Sequence, residues 1–182
     1  MQDDLKLTPT SYIVLGLVDA AGGSELTPYD LKAMMAISVD NFWSTPHAQV
    51  YREVGRLAEG GHLTERREER GRRRRFYAIT DRGRAALEAW RHQAPEEHPQ
   101  LRDPGVLKLF FGGEPSVVAA HQLGLHEAKL AEYEALCAQV GDAMPVPQRR
   151  ALDLGVAHER AMIAIWRDVA LEDRRVTSGP RA

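Results

Sequence analysis

The stretch Arg66-Arg67-Glu68-Glu69-Arg70-Gly71-Arg72-Arg73-Arg74-Arg75 decides the reading of this chain: it holds seven arginines in ten residues. Gly60-Gly61, a helix stop, and His62-Leu63-Thr64 precede it, and Phe76-Tyr77-Ala78-Ile79-Thr80 follows. Alternation over Leu63 to Arg67 and over Arg74 to Ile79 predicts two strands joined by a turn at Arg70-Gly71-Arg72. A charge run is ordinarily a solvated face or a disordered arm. Strand-like residues on both sides, Phe76-Tyr77 among them, argue instead for an ordered basic hairpin behind a helix. That is the working surface of a winged helix-turn-helix and points to duplex DNA. Arg70, Arg72, Arg73, Arg74 and Arg75 are expected to contact phosphates or enter the minor groove, where negative potential favours arginine. Glu68 and Glu69 are expected to temper the charge and to pair within the wing.

Upstream of the hairpin the same start signal recurs. Thr8-Pro9 and Thr27-Pro28 each place an N-cap before a proline at the first helical position, and Ser44-Thr45-Pro46 reads as a third such start. Ile13, Val14, Leu17, Val18 and Ala21 form the first apolar face; Leu31, Met34, Met35 and Ile37 the second; Val50, Val54, Leu57 and Ala58 the third. Three short helices and a hairpin make a helix-turn-helix core plus a wing. The third is the candidate recognition helix, since helix N-terminal residues reach base edges in the major groove. Ser44, Thr45, His47, Ala48, Gln49 and Tyr51 are expected to be exposed there, with Arg52 beside them. Glutamine pairs bidentately with adenine. The alternative is that His47 and Gln49 are ordinary solvated residues and Tyr51 packs on the core.

Downstream, Thr80-Asp81-Arg82-Gly83 starts a fourth helix with Leu87 and Trp90 facing inward. Prolines, a glycine and charges between Ala94 and Gly105 mark a linker. The expected organisation is a DNA-binding domain over 1–93, a linker over 94–105 and a helical domain over 106–182. The second half reads as a short apolar helix, Val106 to Phe111, a long one, Pro115 to Val140, a break at Pro145-Val146-Pro147, and a last helix, Gln148 to Leu171. Val118, His121, Leu125, Leu130, Tyr133, Leu136 and Val140 are available for packing on the long helix. The last helix carries Ala151, Leu154, His158, Ala161, Ile165 and Val169 at nearly seven-residue spacing. Two such helices need each other and a second copy of the chain to complete a core, which places dimerisation on Leu154, His158, Ala161, Ile165 and Val169.

Composition narrows the class. With 182 residues and 43% hydrophobic side chains the chain has material for one medium or two small domains. The net charge of −2 hides the local basic excess of the hairpin. One cysteine, Cys137, excludes an internal disulfide and suits a reducing compartment. No apolar run approaches the roughly 20 residues that span a bilayer, and Met1-Gln2-Asp3-Asp4 lacks a signal-peptide start, so a cytoplasmic protein is expected. The histidines are scattered, His121 and His126 lie off one helical face, and no glycine-rich phosphate loop occurs. No enzyme, metal site or cofactor is expected. Trp90, Tyr133 and Trp166 stand open between two readings: core or interface packing, and a pocket for a flat aromatic ligand.

Two longer patterns carry a resemblance. Ser44-x6-Tyr51-x5-Leu57-x3-Gly61-x-Leu63 followed by Arg72-Arg73-Arg74-Arg75-Phe76-Tyr77-x2-Thr80-x2-Gly83-x3-Leu87 resembles the PadR-type winged-helix transcriptional regulators. Leu107-Lys108-Leu109-Phe110-Phe111 and Leu152-x-Leu154-Gly155-x2-His158-Glu159-Arg160-x5-Trp166 are similar to the C-terminal helical domain of that family's longer branch. The resemblance implies a mostly α fold with an N-terminal winged helix-turn-helix, a two-stranded wing and a C-terminal helical dimerisation domain. It implies a homodimeric repressor of double-stranded DNA that answers to small aromatic or hydrophobic effectors, with Tyr51 and the wing arginines on the DNA. A two-fold dimer would read an inverted repeat. Two rivals stand beside it: a winged-helix module that binds an acidic protein, and a small-molecule-binding helical dimer without specific DNA binding.

Overall fold

In the computed structural model, which describes residues 5–69, 73–96, 98, 100–140 and 143–177, the two threonine–proline pairs each open a helix. Helix α1 (Pro9–Ala20) is capped by Thr8, whose hydroxyl accepts from the Ser11 amide at 3.4 Å while the Ser11 hydroxyl accepts from the Thr8 amide at 2.8 Å. Helix α2 (Pro28–Ala36) repeats the device with Thr27 and Asp30, at 3.3 and 2.9 Å. Reciprocal caps satisfy amides that have no acceptor inside the helix, and the proline removes one that would be orphaned.

The third start departs from the expectation of three like openings. In α3 (His47–Glu59) Pro46 itself occupies the N-cap position and no side chain caps the helix. The 3₁₀ turn Val39–Asn41, held by the Trp43 amide on the Val39 carbonyl at 2.8 Å, brings the chain in so that Thr45 is buried. The signal therefore sits one residue early. Ile37 falls at the C-cap of α2 and is exposed, outside the buried stripe assigned to it. The end of α3 is as expected: Gly61 takes φ +71°, its amide donates to Ala58 and that of His62 to Leu57. Glycine enters this left-handed conformation without steric penalty.

Strands β1 (Leu63–Arg67) and β2 (Arg75–Ile79) pair antiparallel, with Leu63 opposite Ile79, Glu65 opposite Tyr77 and Arg67 opposite Arg75. Leu26, between α1 and α2, exchanges both backbone hydrogen bonds with Tyr77 and so adds a one-residue third strand. Thr80 then caps α4 (Asp81–Arg91) by accepting from the Gly83 amide, while its own hydroxyl reaches the Gly61 and His62 carbonyls. Val14, Leu15, Val18, Leu31, Met35, Val54 and Leu57 meet Leu63, Tyr77, Ile79 and Leu87 in one core. Trp90 does not join it. It is 44% exposed and stacks one face on Tyr12, at 4.7 Å and 8°.

Gly83 is the tightest point of this core. A β-carbon there would lie 2.2 Å from the His62 carbonyl oxygen, so α4 touches the turn before β1 backbone to backbone. Gly83→Ala is expected to cost about 1–3 kcal/mol by overpacking, read as a lowered urea midpoint. An unchanged midpoint would mean that α4 slides away freely.

The chain divides into two compact units, Met1–His98 and Pro99–Ala182. In the second, α5 (Pro104–Phe110) begins inside the predicted linker. Asp103 caps it by accepting from the Gly105 and Val106 amides, and the same carboxylate takes the Gln122 side-chain amide at 2.8 Å. Helix α6 (Pro115–Val140) and helix α7 (Val146–Thr177) run antiparallel: Arg160 pairs with Glu134 and Arg167 with Glu127. The expected break at Pro145-Val146-Pro147 is the first turn of α7, where a proline's missing amide costs nothing. Among the described residues no helix is long and apolar enough to cross a membrane.

The helix pair packs through a stripe offset from the seven-residue one. Trp166 (1% exposed) meets Val118 and Ala119, with Leu109, Leu123, Met162, Val169 and Ala170 around them. Tyr133 lies over Gly155, whose missing side chain makes room for the ring. Val169, assigned to the dimer seam, therefore belongs to the chain's own core. Leu154, His158, Ala161 and Ile165 remain exposed, as do His121 and Leu125, which were expected to pack. Trp166 and Tyr133 are packing residues. Trp90 is stacked in the other unit, and two surface hollows of the C-terminal unit, one at Leu107–Val118 and one between Glu127 and Arg167, are lined by none of the three.

Candidate nucleic-acid interface

Helix α3 divides cleanly. Val50, Glu53, Val54 and Leu57 are buried, which turns His47, Ala48, Tyr51 and Arg52 to solvent. Ser44 is exposed ahead of the helix, and Thr45 is 7% exposed, contrary to its expected place on the surface. Gln49 is exposed as expected, but its side-chain amide donates to Thr10 in α1 at 2.9 Å. To meet a base edge it would have to leave that partner. The first turn of α3 has neither a capping side chain nor an acidic residue. The Gln49 and Val50 amides close onto the Pro46 carbonyl, and the positive end of the helix dipole is left without a compensating side chain, an arrangement that favours an anion.

The helix is seated by a residue outside the set expected at the interface. Glu53 is buried on the α1 side, where it takes two bonds from the Arg56 guanidinium, at 2.6 and 3.0 Å, and one from the Ser11 hydroxyl. Arg56 also donates to the Lys6 carbonyl at 2.8 Å. Burial pushes the Glu53 carboxyl up, but the bonds from Arg56 and Ser11 outweigh it and hold the carboxyl below its ordinary value. The Glu53–Arg56 spacing on one helix was a legible signal. The long-range partner Ser11 was not.

The wing sorts its arginines into two sets. Arg66 forks onto Glu25, at 2.8 and 2.5 Å, and lies 4.5 Å over the Phe76 ring. Arg67 donates to Glu65 at 2.6 Å, and Arg75 lies 3.5 Å from the same carboxylate. Arg75, expected on DNA, is thus engaged within the hairpin. Arg73 and Arg74 form the second set: among the described residues neither makes an ion pair, and Arg73 has φ +49°. The Glu68 amide donates to the Arg74 carbonyl at 2.9 Å and prolongs the ladder past the strands. Arg70 and Arg72, also expected on DNA, lie outside the described residues. The Glu68 carboxylate accepts from the Arg74 amide at 3.4 Å, so it pairs within the wing as expected, while the two carboxylates that take arginine side chains, Glu25 and Glu65, lie outside that expectation. Neither could be assigned before the hairpin register and the position of the α1–α2 loop were known. Among the described residues no cluster of histidine, cysteine and carboxylate side chains suits a metal ion.

Comparison with known proteins agrees with this geometry. The model of the "Transcriptional regulator PadR-like family" matches residues 14–89, from α1 through α4. The "Negative transcriptional regulator PadR" of Bacillus subtilis (strain 168) is 32% identical over 132 residues, 68% of this chain and 70% of that protein. The crystal structure of Bacillus subtilis PadR in complex with operator DNA superposes with a TM-score of 0.77 at 22% identity, over 90% of this chain and 98% of that one. The complex of the same protein with p-coumaric acid gives 0.73 at 22% identity, with the same coverage. These two structures speak for the fold, and with the family match and the curated relative they close the question of kinship: the chain belongs to the PadR-like family of transcriptional regulators.

Proposed function

We propose that the chain is a cytoplasmic, dimeric, sequence-specific repressor that binds an inverted-repeat operator and is released by a small aromatic or hydrophobic effector. The observation that carries this reading is the pairing of an exposed, uncapped α3 N-terminus with the unpaired Arg73 and Arg74 of the wing. His47, Ala48, Tyr51 and Arg52 would enter the major groove, joined by Gln49 once it releases Thr10, and Ser44 would meet the backbone at its rim. Arg73 and Arg74 at the wing tip would hold phosphates. Thr45 has no part in this, being buried. Relatives support the reading: one is named a negative regulator, and structures of one with operator DNA and with p-coumaric acid share this fold. The exposed stripe of Leu154, His158, Ala161 and Ile165 on α7 supports a two-fold dimer, since a monomer gains nothing by leaving it in water.

Fluorescence anisotropy on the gene's own upstream DNA, against a scrambled duplex of equal length at two salt concentrations, tests the proposal. Tighter binding to the native sequence that survives the higher salt is the expected result. Equal, salt-fragile binding to both would reduce the interface to nonspecific electrostatics. Arg73→Ala and Arg74→Ala are each expected to weaken binding to both duplexes alike and to lower the salt slope by about one. An unchanged slope would remove the wing tip from the interface.

A further inference from the structure

The inner face of the hairpin grades outward from oil to charge. Leu63 and Ile79 lie opposite each other in the core, Glu65 and Tyr77 form the next rung, and Arg67 and Arg75 the last. Residues two apart on a strand share a face, so Glu65 lies beneath both arginines. Two arginines directly opposite each other repel, and such a pair destabilises a hairpin unless a counter-charge sits within reach. Glu65 is that counter-charge. One oxygen takes Arg67 Nε at 2.6 Å; the other takes the Tyr77 hydroxyl at 3.0 Å and lies 3.5 Å from Arg75 Nη1. The Glu65 side chain is 19% exposed, and its two arginine partners lie further out toward solvent. The bond from Arg67, with that from Tyr77 and the charge of Arg75, outweighs its burial and holds the carboxyl below its ordinary value. Tyr77 in turn is fixed on both sides, being paired to Leu26 through its backbone. Glu65 is therefore anchored to the body of the domain, and the two arginines are anchored to Glu65.

We propose that Glu65 is a specificity-determining residue of DNA binding, because by holding Arg67 and Arg75 against the hairpin it withholds two cations from the phosphate backbone. Duplex affinity that comes from phosphates is blind to sequence and grows with every arginine engaged. A wing with all its guanidinium groups free would bind any duplex tightly and narrow the margin between operator and background. The anchored pair leaves phosphate contact to the wing tip, and the base-reading helix keeps a larger share of the total.

This inference rests on the DNA-binding reading, and its test separates the two. The full chain and its Glu65→Gln variant are titrated onto the native upstream duplex and the scrambled duplex across a salt series. Glutamine keeps the shape and the Tyr77 bond but removes the charge. The expected result is scrambled-duplex affinity raised about tenfold, a salt slope steeper by one to two, and a smaller ratio of native to scrambled binding, with Glu65→Asp behaving as wild type. Scrambled affinity and slope that stay level or fall would overturn the assignment, and so would equal weakening on both duplexes with a lowered melting temperature. Arg67→Gln gives a second reading that does not depend on how Glu65→Gln folds. Its salt slope should equal that of wild type; a loss as large as that of Arg73→Ala would show Arg67 already on phosphate and overturn the proposal. If the wild-type chain binds neither duplex, the DNA-binding reading fails first and takes this inference with it.

Discussion

Trp166→Ala is expected to remove about 3–5 kcal/mol of stability from the C-terminal unit. Trp166 is the largest fully buried side chain of the described residues and fills the space between α6 and α7 where Val118 and Ala119 face it. Ala119 opposite an indole is large-against-small packing, so neither helix can close over the void without losing its own contacts. The indole nitrogen is buried and makes no hydrogen bond among the described residues. The loss is therefore one of contact and volume, and Trp166→Phe should recover more than half of it. Urea unfolding at one fixed protein concentration measures both variants, because any dimer contribution moves with concentration. A Trp166→Phe variant as damaged as Trp166→Ala would show that the indole nitrogen matters after all.

Glu53→Ala is expected to cost about 3 kcal/mol, the lower end for breaking a buried pair, since Arg56 keeps partial access to water. The effect has a pH signature. The folded carboxyl is held below its ordinary value, so its contribution is fully present above the unfolded pKa of about 4.3. It is lost as the pH falls through the lower folded value. The stability difference between wild type and Glu53→Gln should be level from neutral pH to about pH 5 and shrink below about pH 4. A difference that ignores pH would mean that the carboxylate charge contributes nothing and that only shape matters at this position. Because Glu53 ties α3 to Ser11 of α1, the substitution should also loosen the angle at which the helix is offered to DNA.

Much of this molecule is legible in its sequence where the determinants are local. Thr8-Pro9 and Thr27-Pro28 cap helices within three residues of themselves. Gly60-Gly61 ends one by a conformation that favours glycine. The hairpin follows from alternation around a turn. The third helix starts one residue later than the threonine–proline signal implies, because the 3₁₀ turn ahead of it draws Thr45 inside, and no local signal marks that. Pro145 and Pro147 signal an interruption and a helix start equally well, because proline breaks a helix interior and opens a helix start, and only the chain around it decides which. At the interface, exposure of α3 could be read from periodicity, but which arginines are spoken for could not. Glu25 is separated from Arg66 by 41 positions, and the role of Glu65 depends on a cross-strand register that a one-residue slip would abolish. On α7 the seven-residue pattern marks the outer face, while the chain's own core uses the neighbouring stripe through Trp166.

The short pairing of Leu26 with Tyr77 has a consequence for the purity of the folded population. A two-stranded ribbon offers open backbone on both sides, and such edges invite a second chain to add a strand. On β2 the backbone of Tyr77 is already taken by Leu26. A foreign strand would have to displace Leu26 and desolvate Arg75, whose carboxylate partner lies underneath. On β1 it would meet Arg66 and Arg67, each paired to an acid. The paired arginines thus serve the protein even when no DNA is present, as a charged fence against self-aggregation along the hairpin edge.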